Sequence, residues 1–344
     1  MTAISSTRRR LNVGLIGLGR LGRVYARDLA TRIGETRLPA VADPSPGLAA
    51  QIAEEFDILD AYQDPQDLIA SPKVDAVVVV SPTHTHKDLV IAALERGKPV
   101  FCEKPLALSL DECRDVQKAV ARHAGFFQMG FMRRFDPGYV AGKKQVDEGH
   151  IGTPVVFKAT SRDPYRPSLE YANPASSGGI LVDMGIHDFD LARWFMGDVA
   201  SVSAIGGVLA YPEMATIGDI DNAIATMTFE SGRLGVIDLT RNGYYGYDIM
   251  TELLGTQGTV RIGYLRETPI LMMKQNSVAH DTVPYFMERF ERAYTAQLQN
   301  FAQNVLRGAE PPVTVTDGVE ALRVALAATA ACRSGKSVNV KDVS

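Results

Sequence analysis

Hydrophobic positions in the first third of the chain fall into short unbroken runs separated by stretches of helical period. Val13 to Ile16 is the first such run, and the period predicts a helix from Leu21 to about Arg32 behind it. A strand at Leu38 to Ala42, a helix over Gly47 to Phe56 and the run Ala76 to Val80 come next. That last run does not alternate with polar residues, as expected of a strand buried on both faces of a parallel sheet. Past Ser81-Pro82-Thr83 the pattern predicts a helix from Thr85 to Glu95 closed by Gly97, then a strand at Pro99 to Cys102. A helix from Leu110 to His123 with Ser109 as N-cap leads into the apolar segment Phe126 to Met129. Strands and helices alternating in this way predict βαβ units and a parallel sheet.

The remainder changes character. After a helical stretch from Tyr139 to Asp147, strand-like runs dominate, at Val155 to Thr160, Val199 to Val208, Ala223 to Phe229, Arg233 to Thr240, Ile249 to Leu254 and Thr259 to Ile262. Turns as tight as Glu230-Ser231-Gly232 between them predict antiparallel pairing. Helical segments at Tyr285 to Leu306 and Thr316 to Cys332 close the chain. With 344 residues and 46% hydrophobic content the chain is long enough for two packed domains. Its 36 basic and 40 acidic residues leave a net charge of -4, so no basic field exists to hold a nucleic acid. Cys102, Cys113 and Cys332 are too few and too scattered for a disulfide framework or a zinc site, which fits a reducing cytoplasm. Ser5, Ser6, Thr7 and Arg8 to Arg10 look like a basic leader, but the apolar run behind them, Leu11 to Ile16, is short and ends in glycines, which argues against export. No apolar stretch reaches the ~20 residues that span a bilayer.

Gly17-Leu18-Gly19-Arg20-Leu21-Gly22 follows the first strand and opens the first helix, the context in which a GxGxxG pattern becomes informative. Gly17 permits the tight turn, Gly19 lets backbone amides approach a pyrophosphate, and Gly22 allows the helix to pack closely. Asp43 ends the second strand 21 residues beyond Gly22, where a carboxylate accepts hydrogen bonds from ribose hydroxyls and repels a 2′-phosphate. Pro44-Ser45-Pro46 follow it, which favours NAD over NADP, although Arg20 and Arg37 bear on that balance. The expected cofactor contacts are Gly17 to Gly22 and Asp43, with Ser81, Thr83, His86, Glu103 and Lys104 as candidates at the carboxyl ends of later strands. The expected organisation is an α/β Rossmann domain over residues 1–127, followed by an α+β domain over 128–344 with a large, mainly antiparallel open sheet. The C-terminal helix is free to pack back on the first domain.

Glu103-Lys104-Pro105 stands at the carboxyl end of a parallel strand, the edge where open sheets bind ligands. On spacing alone Glu103 and Lys104 read equally well as a solvated pair or as functional groups. Asp183 and His187 are four apart and share a face if their segment is helical. An imidazole there suits the task of taking a hydroxyl proton as a hydride leaves carbon; a capping carboxylate beside a core histidine is the bland alternative. His84 and His86 form an HxH without other metal ligands nearby, and their position favours the nicotinamide side of a dinucleotide site over a metal. Arg133 and Arg134 read as a solvated pair or as hydroxyl-binding groups. Tyr244, Tyr245 and Tyr247 read as sheet packing, and His123, His150 and His280 as structural or exposed.

Taken together, these motifs resemble the Gfo/Idh/MocA oxidoreductases, and within them the bacterial inositol dehydrogenases. The resemblance covers nearly the whole chain. It rests on Gly17 to Gly22, Glu103-Lys104-Pro105, the stretch Gly130 to Asp136, Asp183 with His187, and Tyr245-Gly246-Tyr247-Asp248-Ile249. It implies an NAD-dependent oxidation of a secondary ring hydroxyl of a cyclitol, myo- or scyllo-inositol, by a homotetramer. Lys104 would touch the nicotinamide region and the reacting oxygen, Asp183 would bind and orient, and His187 would accept the proton. Arg133, Asp163 and Tyr245 would line the polyol pocket. Scyllo-inositol and β-glucopyranose share an all-equatorial hydroxyl pattern, so side activity on a hexose is expected. The sequence departs from the family pattern at Thr83, where asparagine is frequent, and at Asp163, where inositol dehydrogenases carry asparagine. The same fold and Glu-Lys-Pro signature occur in glycosidases that retain NAD, a reading against which the Asp183 to His187 spacing argues. A non-catalytic NAD sensor leaves Lys104, Asp183 and His187 without a task.

Overall fold

A computed structural model describes residues 9–344; the leader-like residues up to Arg8 lie outside the described residues. The chain divides into two compact units, one reaching to Phe131 and including Tyr294–Gly318, the other Met132–Ala293 with Val319–Ser344.

The first unit carries six strands, β1 (Leu11–Ile16), β2 (Thr36–Ala42), β3 (Asp60–Tyr62), β4 (Ala76–Val79), β5 (Val100–Glu103) and β6 (Phe127–Gly130). They form one parallel sheet in the order β3-β2-β1-β4-β5-β6. All four residues of β4 are fully buried, as its unbroken run predicts for a central strand covered on both faces. The strand order reverses between β1 and β4, the switch point at which such sheets leave a crevice at their carboxyl ends. Tyr25, Phe101, Tyr294 and Phe301 pack ring against ring in this unit. The break expected after residue 127 falls later because β6 is hydrogen-bonded to β5 and so completes the first sheet. Nor does the first unit end there, since the helix Phe286–Arg307 gives it every residue from Tyr294 on.

The second unit is built on a seven-stranded sheet of β7 (Pro154–Arg162), β8 (Val199–Gly207), β9 (Asn222–Phe229), β10 (Leu234–Thr240), β11 (Asp248–Gly255), β12 (Thr259–Ile262) and the short Val338–Asn339 strand. Pairing is antiparallel except between β7 and β10, where Asp238 stands beside Thr160. That parallel pair follows from the long excursion between the end of β7 and β9, which a tight turn could not provide. Alternation is regular: Ala223, Ala225, Met227 and Phe229 of β9 are buried, whereas Ile224, Thr226 and Thr228 face outward. The helix Gly185–Met196 covers the buried face against β7 and β10, and Gly185 allows this, since a Cβ there would lie 3.1 Å from Leu239.

Candidate functional site

The residues of the first unit expected to hold a cofactor stand at the carboxyl edge of its sheet. Gly17 adopts φ +92, and a Cβ there would lie 2.6 Å from the Ser81 amide nitrogen. A Cβ on Gly22 would meet the Gly17 carbonyl oxygen at 2.1 Å, so both positions exclude any side chain. The helix Arg20–Arg27 begins at Gly19 with no acidic residue in its first turn and Arg20 exposed, leaving its amide groups open to an anion. Leu18 is buried and Leu21 half-buried, so they contribute through the backbone. Asp43 accepts hydrogen bonds from the Leu18 amide (2.8 Å) and the Ser45 amide (2.9 Å), which fixes a carboxylate at the end of β2 directly against the glycine turn. A turn that closes over glycine, open amides and a fixed carboxylate fits a dinucleotide.

Behind β4, the Ser81 and Thr85 hydroxyl oxygens lie 2.6 Å apart and Thr83 opens a short 3₁₀ turn. His86 was expected to face the cofactor, but it is 1% exposed, with Nδ1 2.9 Å from the Pro105 carbonyl and Nε2 2.8 Å from the Ser81 carbonyl. It therefore ties the Ser81 and Pro105 loops together instead of presenting its ring outward. Burial lowers its pKa below the ordinary histidine value.

Glu103 likewise turns inward. Its carboxylate accepts hydrogen bonds from the Tyr25 hydroxyl, from Gln297 Nε2 (3.1 Å) and from the Lys104 amide (3.2 Å), and burial raises its pKa. Gly130 is required beneath it, because a Cβ there would lie 2.9 Å from the carboxylate. Lys104, half-buried, thus follows directly on a residue locked into the core, Glu103.

In the second unit Asp183 ends the helical turn Ile180–Asp183, and His187 lies in the first turn of Gly185–Met196. Met184 joins the two with helical backbone angles, so the four-residue spacing works across a junction rather than within one helix. Asp183 accepts from Arg241 Nη2 at 3.3 Å and lies 3.5 Å from the Tyr171 hydroxyl. The Asp183 charge raises the Tyr171 pKa. Asp163 follows β7 and is pinned through its backbone, its amide donating to Thr240 and its carbonyl accepting from Gly243 at 2.7 Å.

Arg133 was expected to line a polyol pocket, yet it is 3% exposed. Its Nη1 donates to Asp188 at 2.6 Å and its Nη2 to the Ser161 hydroxyl at 3.1 Å, so it holds the helix that carries His187. Arg134 is paired with Asp190 through both Nε and Nη2, at 2.9 and 2.5 Å, and is neither solvated nor open to a hydroxyl. The three tyrosines divide: Tyr244 is exposed, Tyr247 packs on Phe290 in the core, and the Tyr245 hydroxyl donates to Asp248 at 2.7 Å while accepting from Arg162 at 2.9 Å. His123 and His280 are exposed, as is His150, whose Nδ1 lies 2.8 Å from the Gln145 side chain. Among the described residues no group of three His, Cys, Asp or Glu could hold a metal ion, and no helix is long and apolar enough to cross a membrane.

Sequence reading missed Tyr171, Asp188, Asp219, Arg241 and Gln297. None belongs to a spaced motif. The one hint was the glycine pair Gly178-Gly179, both at positive φ, of which Gly179 makes room for Asp219.

Residues 11–131 match the oxidoreductase family, NAD-binding Rossmann fold, and residues 143–340 match the C-terminal alpha/beta domain of the same family. The chain is 40% identical to the scyllo-inositol 2-dehydrogenase (NAD(+)) of Bacillus subtilis, with 96% of each chain covered. It is 39% identical to the myo-inositol 2-dehydrogenase of Thermotoga maritima over 97% of this chain and 99% of that one. A structure of scyllo-inositol dehydrogenase from Lactobacillus casei with bound NAD(H) and scyllo-inositol is similar at a TM-score of 0.92 and 33% identity, covering 97% of this chain and all of the other. With both domain types matched along nearly its whole length, the chain belongs to the Gfo/Idh/MocA family of NAD-dependent oxidoreductases.

Proposed function

We propose that the protein oxidises a secondary ring hydroxyl of a cyclitol, myo- or scyllo-inositol, to the corresponding inosose, with NAD as acceptor and side activity on a hexopyranose such as glucose. Bound NAD supplies the hydride acceptor. His187 takes the hydroxyl proton, a role typically contributing ~10² to 10⁴-fold. Lys104 stabilises the developing alkoxide by charge and hydrogen bond. Asp183 orients the substrate and steadies the imidazolium that forms on His187. Asp163 and Tyr245 bind further hydroxyls, while Arg133 acts at one remove through Asp188. The observation that carries this reading is the carboxylate and imidazole set on either side of the Met184 junction, the charge partner and proton acceptor that a carbinol dehydrogenase needs.

The test is initial NADH formation with NAD and then NADP against myo-, scyllo- and chiro-inositol, both glucose enantiomers and galactose. Turnover on an inositol that collapses in His187→Ala, with NAD affinity unchanged, supports the proposal. NAD binding without NADH from any substrate overturns it in favour of the glycosidase or sensor reading, and strict restriction to one inositol removes the hexose activity. We place the enzyme in the cytoplasm, which suits its three free thiols. We also propose a homotetramer that uses the outward sheet face, where Ile205, Ile224 and Leu234 are exposed. A monomeric mass by light scattering at micromolar concentration overturns that assembly.

A further inference from the structure

Arg241 is the largest fully buried side chain of the second unit, 1% exposed, one residue beyond the end of β10. Its Nη2 lies between two carboxylates, 3.3 Å from Asp183 Oδ2 and 3.7 Å from Asp219 Oδ2, and both acids are nearly buried. One cation thus serves two anions. Its Nε is buried without a hydrogen-bond partner among the described residues. The guanidinium is held where its charge reaches Asp183.

The surroundings fix the arrangement. Asp219 Oδ1 accepts the Ile180 amide at 3.3 Å, at the start of the turn that ends in Asp183. Gly179 sits at φ +79, and a Cβ there would come 2.8 Å from that same oxygen, so the glycine makes room for Asp219. The Arg241 amide donates to the Asp221 carbonyl at 2.9 Å. The Asp221 carboxylate in turn gathers the amides of Leu209, Ala210 and Tyr211. The groups facing Asp183 include Arg241, Asp219 and the Tyr171 hydroxyl, with Asp163 acting on Tyr171 and His187 one turn further along.

We infer that Arg241 is a positioning residue for the reaction, which keeps Asp183 ionised and aimed, and that Asp219 competes with Asp183 for it. The inference rests on the proposed role of Asp183. It predicts opposite effects from two substitutions. Arg241→Met takes the shared guanidinium from two facing carboxylates, so Asp183 holds its proton to higher pH; Asp219→Asn leaves the whole guanidinium to Asp183, which ionises at lower pH. An opposite charge within ~4–6 Å shifts a carboxylate by roughly one to three pH units.

The experiment follows the Asp183 carboxyl directly, by ¹³C NMR titration of aspartate-labelled cofactor-free protein, the resonance being assigned with Asp183→Asn. The pH profile of kcat/KM is recorded for the same variants with whichever cyclitol turns over. The expected result is an acid limb moved up by roughly one unit in Arg241→Met, partly restored in Arg241→Lys, and moved down in Asp219→Asn. Should Arg241→Met fail to fold, the Lys and Asn variants carry the test. Unmoved titrations and profiles in these variants, with turnover lost in Asp183→Asn, overturn the inference alone. Full turnover in Asp183→Asn overturns the reading of Asp183 itself.

Discussion

The imidazole of His86 lies with Nδ1 2.9 Å from the carbonyl oxygen of Pro105, which joins the helix behind β4 to the loop that carries Lys104. The opposite ring nitrogen faces the Ser81 carbonyl at 2.8 Å. A neutral imidazole has one N–H, so it donates to one carbonyl at a time, and protonation inside the fold is opposed chiefly by burial. Because the folded pKa lies below the unfolded value of about 6.5, the unfolded chain binds the extra proton as pH falls. This contribution to stability is present above pH ~6.5 and is lost as pH falls through the folded pKa, with a slope of at most about 1.4 kcal/mol per pH unit. Urea denaturation between pH 7.5 and 5 checks this at about half-unit steps. The slope is expected to flatten in His86→Gln, and an equal slope in the two proteins removes the assignment.

Gly22→Ala is expected to abolish NAD binding while leaving the second unit folded, since the added methyl would lie 2.1 Å from the Gly17 carbonyl oxygen. Titration of protein fluorescence with NAD reads this. Asp43→Ala is milder: the turn loses the acceptor of the Leu18 and Ser45 amides, and the preference for NAD over NADP narrows. An unchanged ratio of NAD to NADP affinity would exclude Asp43 from the ribose.

The ion pair of Arg133 with Asp188 is almost wholly buried, with exposures of 3% and 0%. Removing one partner of such a pair typically costs ~3–5 kcal/mol, because the other charge is left uncompensated. Arg133→Met is expected to lower the urea midpoint accordingly and to reduce kcat more than NAD affinity, since Asp188 adjoins His187. Arg133→Met with Asp188→Leu should recover much of the stability but not the turnover. A double variant no more stable than the single one argues against the pairing as the cause.

Tyr25→Phe removes the hydroxyl shared between Glu103 and Gln297, which approaches Tyr25 through Nε2 at 2.5 Å. Leaving a buried polar group short of a partner costs about 1–3 kcal/mol. Burial already raises the Glu103 pKa, so its contribution to stability is present below the unfolded carboxyl value and is lost as pH rises through the folded one. Glu103→Gln is therefore expected to remove that loss. Denaturation midpoints at pH 4.5 and 8 decide it: if wild type and Glu103→Gln differ equally at both, the side chain does not titrate in this range.

The glycine turn, the carboxylate at the end of β2 and the all-buried β4 were legible because each is local, a few residues whose steric or hydrophobic requirement holds in any context. The same is true of the alternating faces of β9. Arg133 and Arg134 read as a solvated pair or as hydroxyl-binding groups because their partners are remote in the chain; Asp188 and Asp190 lie more than fifty positions away. His86 was assigned to the ligand since its neighbours suggested the right edge of the sheet but not which way the ring turns.

By itself, then, the sequence determined two kinds of sheet and the dinucleotide turn, and it put forward Asp183, His187 and Lys104 as candidates for the chemistry. Periodicity and glycine geometry act over one or two turns of chain, and an amino-acid string records them directly. Only the tertiary structure decided which charges are partnered. Arg241 reaches Asp183 across 58 positions, and Gln297 reaches Glu103 across 194. Such pairs form because a buried charge must find a counter-charge or hydrogen-bond partner wherever packing places one.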